Sequence, residues 1–376
     1  MRLLIAWRGL VHEKVRSVLA TLGIFIAVLL IFMELGFFNA VPRGGMVVYE
    51  RLDFDIVLAA KSYVFQIQSG RLPRRRIHQA RAVDGVESVA PLYQNPGTWL
   101  TPEQHLRRRV FVMAFDLDDR VFAVPEIEQQ RHLLQAPDTV LQDETSRPAF
   151  GPAMAGRQVE IDGRNVTVVG SYALGTGFVG LGVAVTSDQN FVRMFPERRL
   201  DQVSLGLIRI QAGHTPAEVA GRLRAVLPPD TRVMTRAELT EREIAHWTTR
   251  TSTGIVWGVA LAISFLVGAV ILFQTLSSQV RRYLPEYAVL KAMGYTNRYL
   301  GSIVVLQALI LSSIAFIPAV ALALVLYDVM REATVLPIIM TGERVTLVLL
   351  AALAMATASA VLALRGLRRA DPVELF

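Results

Sequence analysis

The sequence predicts an α-helical membrane protein with four transmembrane helices and an α+β extracytoplasmic domain between helices 1 and 2. Residues 17–38, 251–280, 299–327 and 345–364 are nearly or wholly free of charge. Each of these stretches is long enough to cross a bilayer, which takes about 20 apolar residues. Residues 39–250 instead have the mixed composition of a soluble domain. The whole chain, 52% hydrophobic and only 19% charged, reflects both kinds of segment.

Basic residues beside the spans predict the orientation. They cluster in segments 1–16, 281–298 and 365–376, as Arg2, Arg8, Lys14, Arg16, Arg281, Arg282, Lys291, Arg298, Arg365, Arg368 and Arg369. The short loop 328–344 carries only Arg331 and Arg344. Because lysine and arginine in short loops favour the cytoplasmic side, both termini and the loop 281–298 are predicted to be cytoplasmic. The domain 39–250 and the loop 328–344 then lie outside.

The first 16 residues have one apolar face, formed by Leu3, Leu4, Trp7, Leu10 and Val11. Two interpretations are open: an amphipathic helix lying along the inner leaflet, or an extension of the first span. The apolar core of that span is longer than that of a signal peptide, and a poor cleavage sequence follows it. We therefore expect an uncleaved anchor.

The extracytoplasmic domain shows alternating strand and helix signals. Strands are predicted at 55–59, 87–93, 109–115 and 203–210, and a hairpin at 158–169 turns at Asp162-Gly163. Helices are predicted at 74–83, after the N-cap Thr215 with Pro216, and at 235–250, the last running directly into span 2 as a stalk. This order of elements predicts two small α/β sandwiches.

Several kinds of chemistry are excluded by composition and spacing. The chain has no cysteine, which excludes disulfides, thiol catalysis and cysteine metal ligands. It contains no phosphate-binding loop for ATP, no Gly-x-Ser-x-Gly elbow, and only scattered histidines. We therefore expect neither an enzyme nor a metal site. The net charge is +7, but the sequence has no basic motif interleaved with aromatic residues. We therefore expect the basic residues to face a lipid membrane surface and not nucleic acid.

The loop 281–298 contains a short amphipathic segment. A helix from Glu286 to Met293 would end at Gly294 in the left-handed conformation. It would place Tyr287, Leu290 and Met293 on one stripe. Such a stripe between two spans can be covered by a cytoplasmic protein or by lipid, and both alternatives are open.

This loop resembles the coupling segment of the MacB/FtsX-type (type VII) ABC transporter permeases. Members typically have an acidic residue followed by an apolar pair and then Leu-Lys/Arg-Ala-x-Gly. The residues of this chain that match are Glu286, Leu290, Lys291, Ala292 and Gly294. The tail Ala370-Asp371-Pro372-Val373-Glu374-Leu375 is similar to the C-terminal ending of the family, and the order of spans and outer domain also agrees.

Within the family, three stretches look like the DevC branch: Leu284-Pro285-Glu286, Phe32-Met33-Glu34-Leu35-Gly36-Phe37, and Pro73-Arg74-Arg75-Arg76 with Val86-Glu87-Ser88-Val89. One departure from the broader family is Leu284-Pro285, which stand where a charged residue often precedes the glutamate. The same ion pairs with an ATPase are therefore not assumed.

The resemblance implies the permease subunit of an ATP-driven exporter in the inner membrane. Two such chains, a homodimer, would pair with two ABC ATP-binding subunits that bind the ATP, so the chain itself needs no cofactor. The residues implied in ATPase coupling are Glu286, Tyr287, Leu290, Lys291, Met293 and Gly294. A membrane-fusion adaptor protein is an implied partner, an outer-membrane channel a further one, and a lipid or other amphiphile the implied cargo. The alternative is an FtsX-like regulator of an extracytoplasmic cell-wall hydrolase, without transport.

Two features of the spans suggest further sites. Glu34 is either a substrate or gating group facing a dimer cavity, or an interfacial carboxylate that reaches the headgroups. Gly254, Gly258 and Ala262 place small residues on one stripe of span 2. That stripe permits close helix packing, either across a homodimer or with spans 1 or 4 of the same chain.

Overall fold

The structure is a computed structural model that describes residues 14–101, 106–175, 177, 181–282, 289, 293–334 and 337–368. The chain divides into two compact units. One, the membrane unit, comprises the chain up to Ala40 and from Ser252 onward. The other, the outer unit, is Val41–Thr251. Residues 1–13, which form most of the predicted N-terminal helix 1–16, lie outside the described residues.

The described helices are α1 (Lys14–Glu50), α2 (Arg75–Arg81), α3 (Pro125–Gln130), α4 (Asp188–Met194), α5 (Pro216–Val226), α6 (Arg236–Ala245), α7 (Ser252–Arg282), α8 (Asn297–Thr334) and α9 (Gly342–Arg368). A π turn, His246–Arg250, follows α6. The described strands are β1 (Ile56–Ala60), β2 (Leu72–Pro73), β3 (Val86–Thr101), β4 (Leu106–Phe115), β5 (Thr139–Asp143), β6 (Gln158–Ile161), β7 (Arg164–Tyr172), β8 (Gly182–Ser187), β9 (Gln202–Val203), β10 (Leu205–Ile210) and β11 (Thr231–Thr235).

Among the described residues, four helices are long and apolar enough to cross a membrane: Ser17–Glu50, Ser252–Thr275, Gly301–Ala333 and Gly342–Ala363. They coincide with the four predicted spans; the first, third and fourth are longer than predicted, and the second is shorter. The helix α8 continues to Thr334 and α9 begins at Gly342, so residues 328–334 and 342–344 of the predicted loop are helical.

The helix α1 continues past residue 38 to Glu50, through Pro42. Proline and glycine signals in this stretch argue locally for an end. Packing overrides them, because Met46, Val48 and Tyr49 are buried in a core of the outer unit.

The predicted continuous stalk into span 2 is wrong. Thr235 caps α6 as expected, but the helix changes to the π turn at His246 and then stops. Thr251 is extended, with φ −92° and ψ 145°, and α7 begins one residue later. The 3.6-residue periodicity of the sequence does not reveal such a single extended residue.

The membrane unit is packed through small residues. Alanines on α8 and α9 are fully buried against Ile24, Val28 and Ile31 of α1: Ala308, Ala315, Ala319, Ala323, Ala352, Ala356 and Ala360. Small side chains allow helix backbones to approach closely, which gives the van der Waals contact that holds helices together in lipid.

The described strands of the outer unit form a nine-stranded sheet in the order β11-β1-β10-β3-β4-β8-β5-β7-β6, and a separate pair β2-β9. The strand β3 also pairs with β6 through Trp99 and Leu100. Strands β3, β4, β8, β5, β7 and β6 therefore close a ring of hydrogen-bonded neighbours. The prediction of two sandwiches is wrong, because the long β3 pairs with β10 along its first half and with β4 along its second.

Both faces of the sheet are buried. On β1, Ile56 and Leu58 enter one core, while Val57 and Ala59 enter the other, as the two-residue period of a strand requires. Helices α2, α4 and α5 contribute to the first core. The end of α1, α3 and α6 contribute to the second.

Local signals predicted several elements correctly. Asp162 and Gly163 have φ of 46° and 83°, the two positive values that a type I′ turn requires, and β6 pairs with β7 across them. Thr215 and Thr235 each form a capping box with a glutamate, Glu218 and Glu238 respectively.

Candidate coupling segment and membrane-proximal sites

The described part of the predicted coupling segment is its end. The amide of Met293 donates a hydrogen bond to the carbonyl of Val289 at 3.0 Å, which is one helical turn. Gly294 follows with φ +92°, the left-handed conformation that favours glycine. Val289 and Met293 are 60% and 62% exposed. This end of the segment thus shows two apolar side chains that the described residues leave uncovered.

The other proposed coupling residues, Glu286, Tyr287, Leu290 and Lys291, lie outside the described residues, as does the tail motif 370–375. Their coupling role stays a prediction, and so does that of Met293 and Gly294. After Gly294, Thr296 accepts hydrogen bonds from the amide of Tyr299 and so caps the start of α8.

The small residues on the stripe of span 2 differ in burial. Gly254 is buried and Gly258 half-buried; a β-carbon at Gly258 would stand 3.5 Å from Phe38 of α1. Ala262 is exposed. Gly268, which the sequence analysis did not single out, faces Ala27 and Ile31 of α1. Gly258 thus lies beside α1 of the same chain, while the choice between the two alternatives stays a prediction.

Glu34 lies inside α1, well before the end of that helix at Glu50. Its side chain is half-buried, and its Oε2 atom is buried without a hydrogen-bond partner among the described residues. Its predicted function, and the choice between its two interpretations, stay predictions.

A polar cluster joins three spans of the membrane unit. The hydroxyl of Tyr327 on α8 donates a hydrogen bond to the main-chain carbonyl of Phe32 on α1. Gly36, one turn later, leaves that carbonyl uncovered, since it has no side chain to shield it. On α9, the buried Arg344 lies over the Tyr327 ring at 5.6 Å and donates to the carbonyl of Ile339 at 2.6 Å.

A second cluster lies in the outer unit, where the end of α1, the segment after β1 and α6 meet. The hydroxyl of Tyr63 donates a hydrogen bond to Oε1 of Glu243, and the hydroxyl of Tyr49 lies 2.6 Å from that of Tyr63. Tyr49 and Tyr63 are 1% exposed and Glu243 is 0% exposed. Burial raises the pKa of Glu243 to about 7; hydrogen bonds from Tyr63, the Gln66 backbone and Trp247, and the charge of Arg242, offset this only in part.

Aromatic rings surround this carboxyl group. The indole of Trp247 packs against Gly45 of α1, at a place where a β-carbon would collide with the ring. Phe65 stacks on His246 at 4.4 Å and meets Trp247 edge-on at 5.6 Å. The Glu243 site is therefore a closed contact between three segments of the outer unit.

Comparison with known protein families identifies the fold. The model of the MacB-like periplasmic core domain matches residues 17–226, more than half of the chain. The chain belongs to the MacB/FtsX-type permeases. A second model, the FtsX-like permease C-terminal, matches residues 258–372. The protein is thus an ABC-type permease subunit, the transmembrane component of its class.

Two solved structures are similar to this MacB/FtsX-type permease. The periplasmic region of MacB from Actinobacillus actinomycetemcomitans is 10% identical, with a TM-score of 0.37, and the match covers 52% of this chain and 94% of that one. The extracellular domain of the noncanonic ABC-type transporter YknZ from Gram-positive bacteria is 13% identical, with a TM-score of 0.34, covering 48% and 99% respectively. No curated protein matches the chain. The family assignment rests on the sequence matches alone.

The sequence analysis of this MacB/FtsX-type permease missed both polar clusters. A signal existed for Glu243, which follows the buried Leu239 by four residues and so lies on the apolar face of α6. Arg344 was counted as a loop charge, but it lies in the first turn of α9 and is buried. The partners of both residues are distant in sequence, and no local pattern indicates them.

Proposed function

We propose that this permease is the transmembrane subunit of an ATP-driven exporter. A separate ABC ATP-binding subunit binds the ATP, and its motion enters the permease through the segment 281–298. The observation that carries the proposal is the combination, in one chain, of an FtsX-like C-terminal region at 258–372 with a MacB-like periplasmic core at 17–226. The large core domain favours export over the regulation of a cell-wall hydrolase.

The exposed end of the coupling segment supports an ATPase contact. Val289 and Met293 expose most of their apolar surface, and Gly294 ends the helical turn that carries them. Exposed apolar side chains on a short segment between two spans suit a partner that covers them. The proposed contact also includes Glu286, Tyr287, Leu290 and Lys291.

The outer unit is the proposed receiver of this motion. The last turns of α1 belong to its core through Val48 and Tyr49, so a movement of the first span would act directly on the outer domain. We place this domain outside the inner membrane with both termini in the cytoplasm, as the distribution of basic residues favours. It would work with a membrane-fusion adaptor protein and an outer-membrane channel. A homodimer of the permease would export a lipid or another amphiphile.

A pull-down tests the proposal. The tagged, detergent-solubilised wild type is compared with a Glu286→Lys, Leu290→Asp double variant. We expect an ABC ATP-binding subunit to copurify with the wild type and to be lost from the variant, because the substitutions reverse one charge and place another on the apolar stripe.

The matched control is Glu87→Lys with Met154→Asp, the same kinds of substitution at exposed positions of the outer unit. It should retain the ATPase. If no ATP-binding subunit copurifies with the wild type, the exporter proposal fails. If the ATPase also copurifies with the double variant, the coupling segment is wrongly assigned.

A further inference from the structure

The outer unit contains a buried chain of three ionisable groups, Tyr49, Tyr63 and Glu243, whose ionisation the transport proposal does not use. We propose that Glu243 is a proton-binding switch of the outer domain. With its carboxyl group protonated, this chain holds the last turn of α1 against α6. Loss of the proton to solvent as the pH rises leaves a buried carboxylate and releases α6 and the π turn.

The geometry connects three segments through these side chains, and the backbone of Gln66 and the side chain of Trp247 also hydrogen-bond to Glu243. Tyr49 comes from the last turn of α1, Tyr63 from the segment after β1, and Glu243 from the last turn of α6. The Tyr49 and Tyr63 hydroxyl oxygens are 2.6 Å apart, and Tyr63 donates to the carboxyl group. Because the three side chains are at most 1% exposed, water cannot solvate a charge on Glu243 unless the segments separate.

The charged groups that face this site do not neutralise it well. Arg242, on α6, directs its guanidinium group to the Tyr63 main-chain carbonyl at 3.1 Å and lies 6.0 Å from the Tyr63 ring centroid. Arg232, on β11, donates to the same carbonyl at 3.3 Å and to that of Lys61 at 3.2 Å. Both arginines therefore direct guanidinium N–H groups to main-chain carbonyl oxygens.

The pKa values of the neighbours His246 and Tyr63 are shifted in the directions that favour their neutral forms. Burial and the charges of Arg250 and Arg242 lower the pKa of His246, so this histidine is neutral near pH 7. Burial raises the pKa of Tyr63 well above its usual value, so its hydroxyl keeps its proton. Burial likewise raises the pKa of Glu243 from 4.5 to about 7. Glu243 is thus the group of this cluster that titrates near neutral pH.

The element that the switch would release has an unusual backbone. The π turn His246–Arg250 follows directly on Glu243's helix and ends at the extended Thr251. π turns are rare in proteins and are frequent at functional sites. Release of α6 would therefore free this turn first.

Hydrogen exchange of the full-length protein in detergent micelles, analysed by mass spectrometry, tests the proposal. Wild type and Glu243→Gln, which keeps a neutral hydrogen-bonding group, are compared at the same pH, so that intrinsic exchange chemistry cancels. The pKa of Glu243 is about 7 in the folded protein and 4.5, its ordinary value, when the site is open. Proton linkage therefore predicts that the opening of residues 236–250 increases about tenfold from about pH 6 to about pH 8.5 in the wild type. Glu243→Gln should not show this increase.

Two further variants separate Glu243 from its neighbours. His246→Phe keeps a ring on Phe65 but cannot titrate, and it should retain the pH response. Tyr63→Phe removes the hydroxyl donor, and it should increase exchange at both pH values.

The proposal is overturned if wild type and Glu243→Gln respond alike to pH, or if His246→Phe abolishes the response. If Glu243→Gln does not fold, the wild type alone is measured against pH, with β8 as the internal reference. Exchange of residues 236–250 should then increase with pH more than exchange of β8, and an equal increase overturns the proposal. This readout is independent of export, so its failure leaves the transport proposal intact.

Discussion

The ring of Tyr327 lies against the main chain of Gly36, so closely that a β-carbon on Gly36 would stand 2.6 Å from the phenolic oxygen and 2.7 Å from Cζ. This contact lets the Tyr327 hydroxyl reach the carbonyl of Phe32. A main-chain carbonyl in a helix already accepts one bond from the amide one turn later, so the tyrosine adds a second. The side chain of Tyr327 therefore ties α8 to α1 through a gap that only glycine provides.

Substitution Gly36→Ala should destabilise the membrane unit. Its methyl group would occupy the space of the Tyr327 ring, and overpacking of this kind costs about 1–3 kcal/mol. We expect a lower midpoint of thermal unfolding in detergent. Gly258→Ala is the matched control, because its β-carbon would meet Phe38 at an ordinary 3.5 Å. Adding Tyr327→Leu to Gly36→Ala should recover part of the loss. Equal destabilisation by both alanine variants would contradict the specific contact.

The stability of the outer unit should decrease as the pH rises from about 5 to about 8, because of Glu243. Its folded pKa of about 7 lies above its ordinary value of 4.5, so the folded state binds the proton more tightly than the unfolded state. The Glu243 contribution is therefore complete below pH 4.5 and is lost as the pH rises toward 7. The midpoint of thermal unfolding, measured against pH, should fall less for Glu243→Gln than for wild type. Parallel curves for the two proteins would refute this assignment.

Substitution of Gly294 should affect the coupling segment through its backbone. Its φ of +92° disfavours a β-branched side chain strongly, whereas asparagine tolerates positive φ better. A β-carbon there would meet no atom within 4 Å among the described residues, so any effect is conformational. Gly294→Val should weaken copurification of the ATP-binding subunit, and Gly294→Asn should weaken it less. Equal retention of the subunit by both variants would show that the left-handed end is not needed for the contact.

Substitution Asp143→Ala should loosen the contact between the end of β5 and Gly175, which follows β7. The buried carboxylate accepts hydrogen bonds from the amides of Thr145 and Gly175 at 2.9 Å, and from the Thr145 hydroxyl at 2.8 Å. Leaving these donors unpaired costs about 1–3 kcal/mol. Limited proteolysis and thermal unfolding should both detect the change. Glu144→Ala, the exposed neighbour, serves as control: it removes only an exposed hydrogen bond from the Ser171 hydroxyl and should cost less than Asp143→Ala.

Local chemistry allowed much of this fold to be predicted. An uncharged stretch of sufficient length indicates a span wherever it occurs, and the Asp162-Gly163 turn and the Thr215 cap depend only on residues a few positions apart. The limits of these elements depend in addition on tertiary contacts, which neighbouring residues do not indicate. Burial of Tyr49 in the outer core extends α1 beyond its local end signals, and a single extended residue, Thr251, interrupts the expected stalk.

The sequence by itself therefore determined the spans, the α+β character of the outer domain and the family motif of the coupling loop. Only the tertiary structure decided that β3 joins the two halves of the domain in one sheet. It also decided that Tyr63 meets Glu243, 180 positions away, and that Tyr327 meets Phe32, 295 positions away. The reason is physical: spans, turns and caps depend on neighbouring residues, whereas these contacts exist only after packing has closed the chain between them.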